Sequence, residues 1–321
     1  MDLSVVVASR PNRPPEQDLL VAGVADRLGY GEVWVGEGWV WDCFALATAI
    51  GMTTEHIALT IGPVPVSLRD PAMIAVGVAS VAALSHRTVG VALGASSTRF
   101  VEGMHGRARR RPGTALAESA QIVRRLLSGQ LTDFQGEGLA THGYRLALDP
   151  SGGPLTIAAF GDRAVRTAAA HADRMVLDLV SPESAAEYSA KLAAAAAAAG
   201  RPAPALAAWI PASIDPTPDA YAELMDSLVG YLEVPGYGEM FTAAGFGEAV
   251  QAAGAGATRE EQLQALPADA ASRIGLVGDV DTVRARLEAY TAAGLDEVVL
   301  VPATAGDPGG ERTLSALASF R

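Results

Sequence analysis

Apolar runs of strand length recur along the chain at 3–8, 32–36, 57–66, 89–94, 155–159, 175–179, 206–212 and 297–302. Most are unbroken rather than alternating, which is the pattern of parallel strands covered on both faces. Helical patterns fill the intervals, at 16–29, 42–54, 71–85, 112–129, 162–172, 182–199, 216–230 and 280–293. Asp42 and the Asp70-Pro71 pair stand where helix N-termini belong, and Gly200 and Gly294 stand where helices stop. Eight strand–helix units predict an α/β fold, a (β/α)8 TIM barrel forming a single domain over residues 1–321. A doubly wound sheet explains the alternation equally well, but the count of eight less readily.

Two connections exceed what a bare barrel needs, 95–154 after strand 4 and 213–296 after strand 7. Such insertions usually lie over the C-terminal mouth, where barrel enzymes build their sites. The second contains "VGYLEVPGYGEMFTAAGFGEAV" (229–250), rich in Tyr, Phe, Met and Gly. That stretch reads either as a helical hairpin packed on the barrel or as a pocket wall over an aromatic ligand.

The formal net charge of −12 argues against nucleic acid or an anionic membrane as partner, since both demand a local excess of Lys and Arg. No apolar run reaches bilayer-spanning length, and "MDLSVVVASRP" has no basic leader region. One cysteine, Cys43, excludes an intramolecular disulfide framework. The expectation is a cytoplasmic protein with a small-molecule substrate.

If the barrel is right, chemistry belongs just after each strand. Those positions hold Ser9-Arg10, Glu37-Gly38-Trp39, Val64 to Leu68, Ala95 to Ser97, Phe160-Gly161-Asp162, Asp178, Ser213 and Thr304, with no histidine among them. A metal-dependent hydrolase barrel would need His and carboxylate ligands converging there, so no metal site is expected. His105, in the first insertion, is the one histidine within reach of the mouth. No GxSxG elbow occurs, no Lys stands at a strand end, and no GxGxxG follows the first run. A neutral, aromatic-rimmed pocket remains, which suits a cofactor that brings its own reactivity. "LTIAAFGDRAVRTAAAHAD" (155–173) turns from strand to helix through a single glycine, a geometry that serves as a plain connection or as a phosphate cradle.

Four segments together resemble the luciferase-like monooxygenase superfamily, and within it the deazaflavin (F420)-dependent oxidoreductases. They are "LGYGEVWVGEG" (28–38), "LTIGPVPVSLRDPAMIAVGVASVAALSHRTVGVALGAS" (59–96), the 155–173 stretch, and "GLVGDVDTVRARLEAYTAAGLDEVVLVP" (275–302). They fall in the family's order and span nearly the whole chain. Ser85-His86-Arg87 is one residue shorter than the family's S-x-x-R pattern.

The resemblance implies a barrel mouth that holds an isoalloxazine-like ring, F420 or alternatively FMN, and an oxidoreductase that transfers hydride to or from a small apolar or aromatic substrate. It also implies a backbone bulge against the ring, which falls here at Gly62, Pro63 and Val64, with Gly62-Pro63 or Val64-Pro65 open to a cis bond. Gly94, Ala95, Ser96 and Ser97 correspond to the loop beside the ring, and Ala159, Phe160, Gly161 and Arg163 to the phosphate turn. Where the branch often has an Asp-His pair, this chain has Glu37-Gly38, so Glu37 becomes the candidate acid or base. Trp39, Trp41, Tyr237 and Phe241 are candidates for the substrate wall. "RARRRPG" (107–113), with Arg163 and Arg166, offers cations for an anionic coenzyme, and the family commonly forms homodimers. An FMN-dependent monooxygenase and a barrel that has lost turnover and only binds a ligand stay open as alternatives.

Overall fold

The computed structural model of the chain describes residues 1–7, 14–38 and 40–320. Its strands are β1 (Asp2–Val7), β2 (Glu32–Val35), β3 (Ala58–Pro65), β4 (Val89–Gly94), β5 (Thr132–Gln135), β6 (Ala140–Tyr144), β7 (Gly152–Ala158), β8 (Arg174–Asp178), β9 (Ala205–Ile214), β10 (Leu276–Gly278) and β11 (Glu297–Pro302). Parallel pairing runs β1–β2–β3–β4–β7–β8–β9–β11 and returns to β1, closing an eight-stranded barrel. Closure overturns the doubly wound alternative, because an open sheet leaves two unpaired edges. β5 and β6 make a separate antiparallel hairpin, and β10 extends the sheet beside the end of β9.

The helices are α1 (Glu16–Arg27), α2 (Cys43–Thr53), α3 (Pro71–Ser85), α4 (Pro112–Leu127), α5 (Asp162–His171), α6 (Pro182–Ala198), α7 (Pro218–Val229), α8 (Tyr237–Ala243), α9 (Gly247–Gly254), α10 (Arg259–Ala265), α11 (Ala270–Ile274), α12 (Val280–Ala292) and α13 (Glu311–Leu317). Asp42 and Asp70 cap α2 and α3 as expected. Each carboxylate accepts from two first-turn amides, worth about 1 kcal/mol per helix. Among the described residues no helix is long and apolar enough to cross a membrane.

Inside the barrel the strands stack two layers. The upper layer is apolar: Val6, Trp34, Ala92, Val176, Ala207, Val299 and Val301, joined by Ala158 and Trp209. The lower layer is polar and charged. Arg174 donates to Glu32 Oε2 at 2.7 Å, to Glu297 Oε2 at 2.6 Å and to Thr60 Oγ1 at 3.0 Å. Its guanidinium lies 4.2 Å from the Trp34 ring centroid, and Trp34 Nε1 donates to Glu297 at 3.2 Å. Glu297 takes a further bond from the Ser4 hydroxyl, and Glu32 one from Thr60. The barrel is thus plugged below by an ion network and above by tryptophans, leaving its C-terminal mouth to hold a site.

The third strand is irregular where the sequence suggested. Its register against β4 slips between Ile61 and Val64, and the Gly62–Pro63 peptide is cis. Gly62 has φ +117°, and a Cβ there would come within 2.3 Å of the Ala92 carbonyl oxygen, so glycine is required. Between β4 and β7 lie a π-helix (Arg99–Met104), α4 and the β5–β6 hairpin; between β9 and β11 lie α7 to α12 and β10. The hairpin strands are short and mostly exposed, so no apolar run announces them.

Candidate active site

A cavity of about 820 Å³ opens at the C-terminal end of the barrel. The upper tryptophan layer forms its floor, with Ala158, Val176 and Trp209 facing upward. The ends of β3 and β4 line one side through Pro63, Pro65, Gly94, Ala95 and Ser96, the last held at φ +57°. The turn after β7 adds Phe160, Gly161 and Arg163, and the start of α8 adds Tyr237. Many of the residues singled out from sequence therefore share this cavity: Glu37, Pro63, Gly94, Ala95, Ser96, Ser97, Phe160, Gly161, Arg163, Asp178 and Tyr237, with Arg109 and Arg111 to Gly113 of the basic run.

The others lie elsewhere. Gly62 shapes the β3 backbone beneath the cavity, while Val64 and Ala159 are buried in the layer between strands and helices. Phe241 is fully buried in an aromatic stack with Tyr237 and Phe246, one layer behind the cavity wall. Trp41 sits on the outside, donating its Nε1–H to Asp18 Oδ2 at 3.0 Å. Trp39 falls outside the described residues. His105 packs edge-on against Phe100 and is exposed. Among the described residues no group of three or more His, Cys, Asp or Glu side chains is placed to hold a metal ion.

Glu37 has a different setting from the neutral, aromatic-rimmed pocket expected at the mouth. Arg69, from the loop between β3 and α3, grips both of its oxygens, Nε to Oε2 at 2.8 Å and Nη2 to Oε1 at 3.0 Å. Cys43 Sγ donates to Oε2 at 3.0 Å, and Arg69 also pairs with Asp42 at 2.6 Å. The guanidinium fork and the thiol occupy both carboxylate oxygens and fix the orientation of the side chain. Cys43 is itself unreactive, because burial and then the Glu37 charge push its thiol far above the usual range.

Cations gather on the opposite side. Arg109 Nε donates to the Ser96 carbonyl at 3.0 Å, bracing the loop after β4, and Arg163 Nη2 donates to Thr114 Oγ1 at 2.6 Å. Gly113 makes room for this, since a Cβ there would lie 2.5 Å from Arg163 Cδ. Arg99, Arg111 and Arg259 also stand at the rim, Arg111 paired with Glu137 at 2.8 Å and Arg259 with Asp226 at 2.6 Å, whereas Arg107, Arg110 and Arg166 are exposed. Two helices begin at this rim, α4 behind Arg111 and α5 behind Gly161, and neither has a side-chain cap. α1, α9, α11 and α13 likewise lack a side-chain cap, whereas α2, α3, α6, α7, α10 and α12 have one, so what sets α4 and α5 apart is their place at the arginine rim. Helix N-termini without caps, among arginines, place backbone N–H donors and positive charge side by side, with Asp162 in the first turn of α5 the one acidic group in either first turn.

Sequence reasoning passed over Arg69 and Trp209 as contributors, and placed Asp178 at a strand end without a partner. Arg69 stands in the quoted "LRDP" loop, Trp209 is an inward position of the seventh run, and Asp178 lies at the end of β8. Asp178 lines the cavity and accepts a hydrogen bond from the Tyr237 hydroxyl at 3.0 Å. Burial, then the Asp178 charge, raises the Tyr237 phenol well above its ordinary pKa.

The family model of luciferase-like monooxygenases matches residues 5–297. A Mycobacterium tuberculosis protein named as a candidate coenzyme F420-dependent oxidoreductase is 24% identical, the match covering 95% of each chain. Among solved structures, an F420-dependent secondary alcohol dehydrogenase holding an F420–acetone adduct superposes with a TM-score of 0.80 at 18% identity, covering 100% of this chain and 98% of that one. The FMN-bound oxygenating constituent of 3,6-diketocamphane monooxygenase from Pseudomonas putida gives 0.68 at 16% identity, covering 99% and 96%. The chain belongs to the luciferase-like monooxygenase family and is an oxidoreductase.

Proposed function

We propose that this oxidoreductase transfers hydride between coenzyme F420 and a small apolar or aromatic organic substrate. One observation carries the reading: two uncapped helix N-termini and a rim of arginines share a cavity with an apolar, tryptophan-floored end. That combination suits a ligand with an anionic tail and a flat ring. The chain's residues fit such a group. Arg109, Arg111, Arg163 and the first turns of α4 and α5 would hold phosphate and carboxylates, and Pro63, Gly94, Ala95 and Ser96 would lie against the ring. Bound there, the deazaflavin supplies a two-electron hydride donor or acceptor. The protein's part is to orient the reacting carbons and keep water from them, through Ala158, Val176 and Trp209 below and the aromatic wall of Phe160, Tyr231 and Tyr237 at the side. The likeness to an F420-dependent relative over nearly the whole chain supports this choice of carrier.

Titration of the purified protein with F420 and with FMN, each oxidised and reduced, tests it. Submicromolar binding of F420 with weaker FMN is the expected result. Tighter FMN would make the protein a flavin monooxygenase, and binding of neither would leave a barrel without turnover.

We also propose that the chain pairs with a second copy through α2 and α3. These adjacent helices contain no charged residue, yet Met52, Met73 and Leu84 are 69%, 65% and 62% exposed on them. Sedimentation should give twice the chain mass, reduced to one chain by Met73→Glu.

A further inference from the structure

We infer that Arg109 is a positioning residue that couples two parts of the cavity: an anion bound among the arginines fixes, through it, the loop against which the ring lies. This rests on the placement of ring and phosphate proposed above, and it holds whether the carrier is a deazaflavin or a flavin.

The loop is the Ala95–Ser96 turn after β4. Ser96 has φ +57°, a left-handed backbone that a residue with a Cβ keeps only when its surroundings impose it. Before the turn, the Val66 amide donates to the Gly94 carbonyl at 3.0 Å. After it, Ser97 Oγ accepts from the Phe100 amide at 3.2 Å. Between these two fixed points no described backbone amide donates to the carbonyl of Ala95 or of Ser96. Arg109 does so instead, its Nε–H shared between them at 3.3 and 3.0 Å. Both residues line the cavity beside Pro63.

Arg109 is delivered by a short strap. Gly106, at φ +61°, lets the chain turn back on the end of the π-helix. The Arg107 amide then donates to the Val101 carbonyl at 3.0 Å, and the Arg109 amide to Glu102 Oε1 at 2.9 Å. Val101 is fully buried and pins the strap, whereas residues 102–108 are exposed. Burial lowers the pKa of the Arg109 guanidinium and the Glu102 charge opposes that fall, so the half-buried cation gains from a further anion.

The guanidinium has donors to spare. Its Nε is committed to the turn, while its two Nη groups donate to no described residue, and Arg109 lines the cavity. The other arginines of the cavity are placed differently. Arg163 is held by Thr114, Arg111 by Glu137 and Arg259 by Asp226, and neither these nor Arg99 bonds to the Ala95–Ser96 turn. An anion that takes the Nη edge bidentately stops the planar group from swinging, so the Nε bond to the turn is made in one orientation. Anion and ring sites are thereby coupled, and by linkage each raises the affinity of the other by the same factor.

The test titrates the intact protein with 5-deazariboflavin, a ring without a phosphate, in the presence and absence of inorganic phosphate. Sodium chloride holds the ionic strength constant. Ring fluorescence should report about tenfold tighter binding when phosphate saturates, and calorimetry about tenfold tighter phosphate when the ring saturates, a factor ordinary for coupled sites. The induced circular dichroism of the bound ring should grow with phosphate, as its orientation is fixed. Arg109→Lys keeps the charge and loses the fork. It should still bind phosphate through Arg163 and the Gly161 amide, while the ratio of ring affinities falls to about one. Equal ring affinity with and without phosphate in the native protein overturns the coupling, as does no ring binding with phosphate present while F420 itself binds. A lysine variant that keeps the ratio, or that binds no phosphate, overturns it as well. Failure of both intact F420 and FMN to bind would instead refute the placement on which the coupling rests.

Discussion

Arg174→Met removes the centre of the ion network below the site and should be the most damaging single change in the barrel interior. Methionine replaces most of the arginine stem and keeps contact with Trp34, so the loss is chiefly electrostatic. The side chains of Glu32 and Glu297 are only 17% and 8% exposed, and without the guanidinium their charges face each other in the barrel. Leaving buried charge uncompensated in this way costs about 3–5 kcal/mol. The pH dependence follows from Glu297, whose carboxyl is pushed up by burial, pulled back by Arg174 and pushed up again by the Glu32 charge. Deleting Arg174 takes away the largest influence opposing the rise, leaving only the hydrogen bonds from Ser4 and Trp34 to do so. A carboxyl with a raised folded pKa binds its proton more tightly when native. Its contribution is therefore fully present below the unfolded value, about 4.3, and lost as pH rises through the folded value. The gap between wild type and variant should be widest near pH 7 or above and should narrow as pH falls toward about 5. Urea unfolding at the two pH values measures it. Adding Glu32→Gln and Glu297→Gln should recover more than half the loss at neutral pH, because Ser4, Thr60 and Trp34 keep their acceptors. A deficit under about 1 kcal/mol at pH 7, or a gap unchanged on acidification, would refute this account of the network.

Gly62→Ala forces a Cβ to 2.3 Å from the Ala92 carbonyl and 2.6 Å from the Val64 amide at φ +117°, and should cost about 3 kcal/mol by thermal unfolding. Gly161→Ala provides the contrast: its Cβ meets no atom within 4 Å and its φ is −83°, so stability should hold while coenzyme affinity at the α5 terminus falls several-fold. Glu37→Gln removes the charge that Arg69 pairs with and should lower stability by about 1–2 kcal/mol in denaturant. Arg163→Ala should weaken F420 binding roughly tenfold and reduce its dependence on salt, both read from fluorescence titration at two ionic strengths.

What the sequence revealed and what it hid divide along one physical line. The eight barrel strands were legible because each is buried on both faces and so reads as an unbroken apolar run. The caps at Asp42 and Asp70 were legible because capping is local. The ion plug was missed because Glu32, Arg174 and Glu297 each open an apolar run and read as loop ends. Their parity was a usable signal: each lies two residues before an inward side chain, Trp34, Val176 or Val299, and so must itself point into the barrel. Glu37 was found, but its partner was not. Arg69 is 32 residues away, and the two loops meet only because β2 and β3 pair. The Asp178–Tyr237 contact spans 59 residues and depends on a seven-residue helix placed by one positive-φ glycine, which no periodicity encodes. A carboxylate at a strand end can therefore be located from sequence, but its chemistry cannot. Glu37 and Asp178 look alike in the chain, and only closure of the barrel brings the Arg69 guanidinium to the first and the Tyr237 phenol to the second.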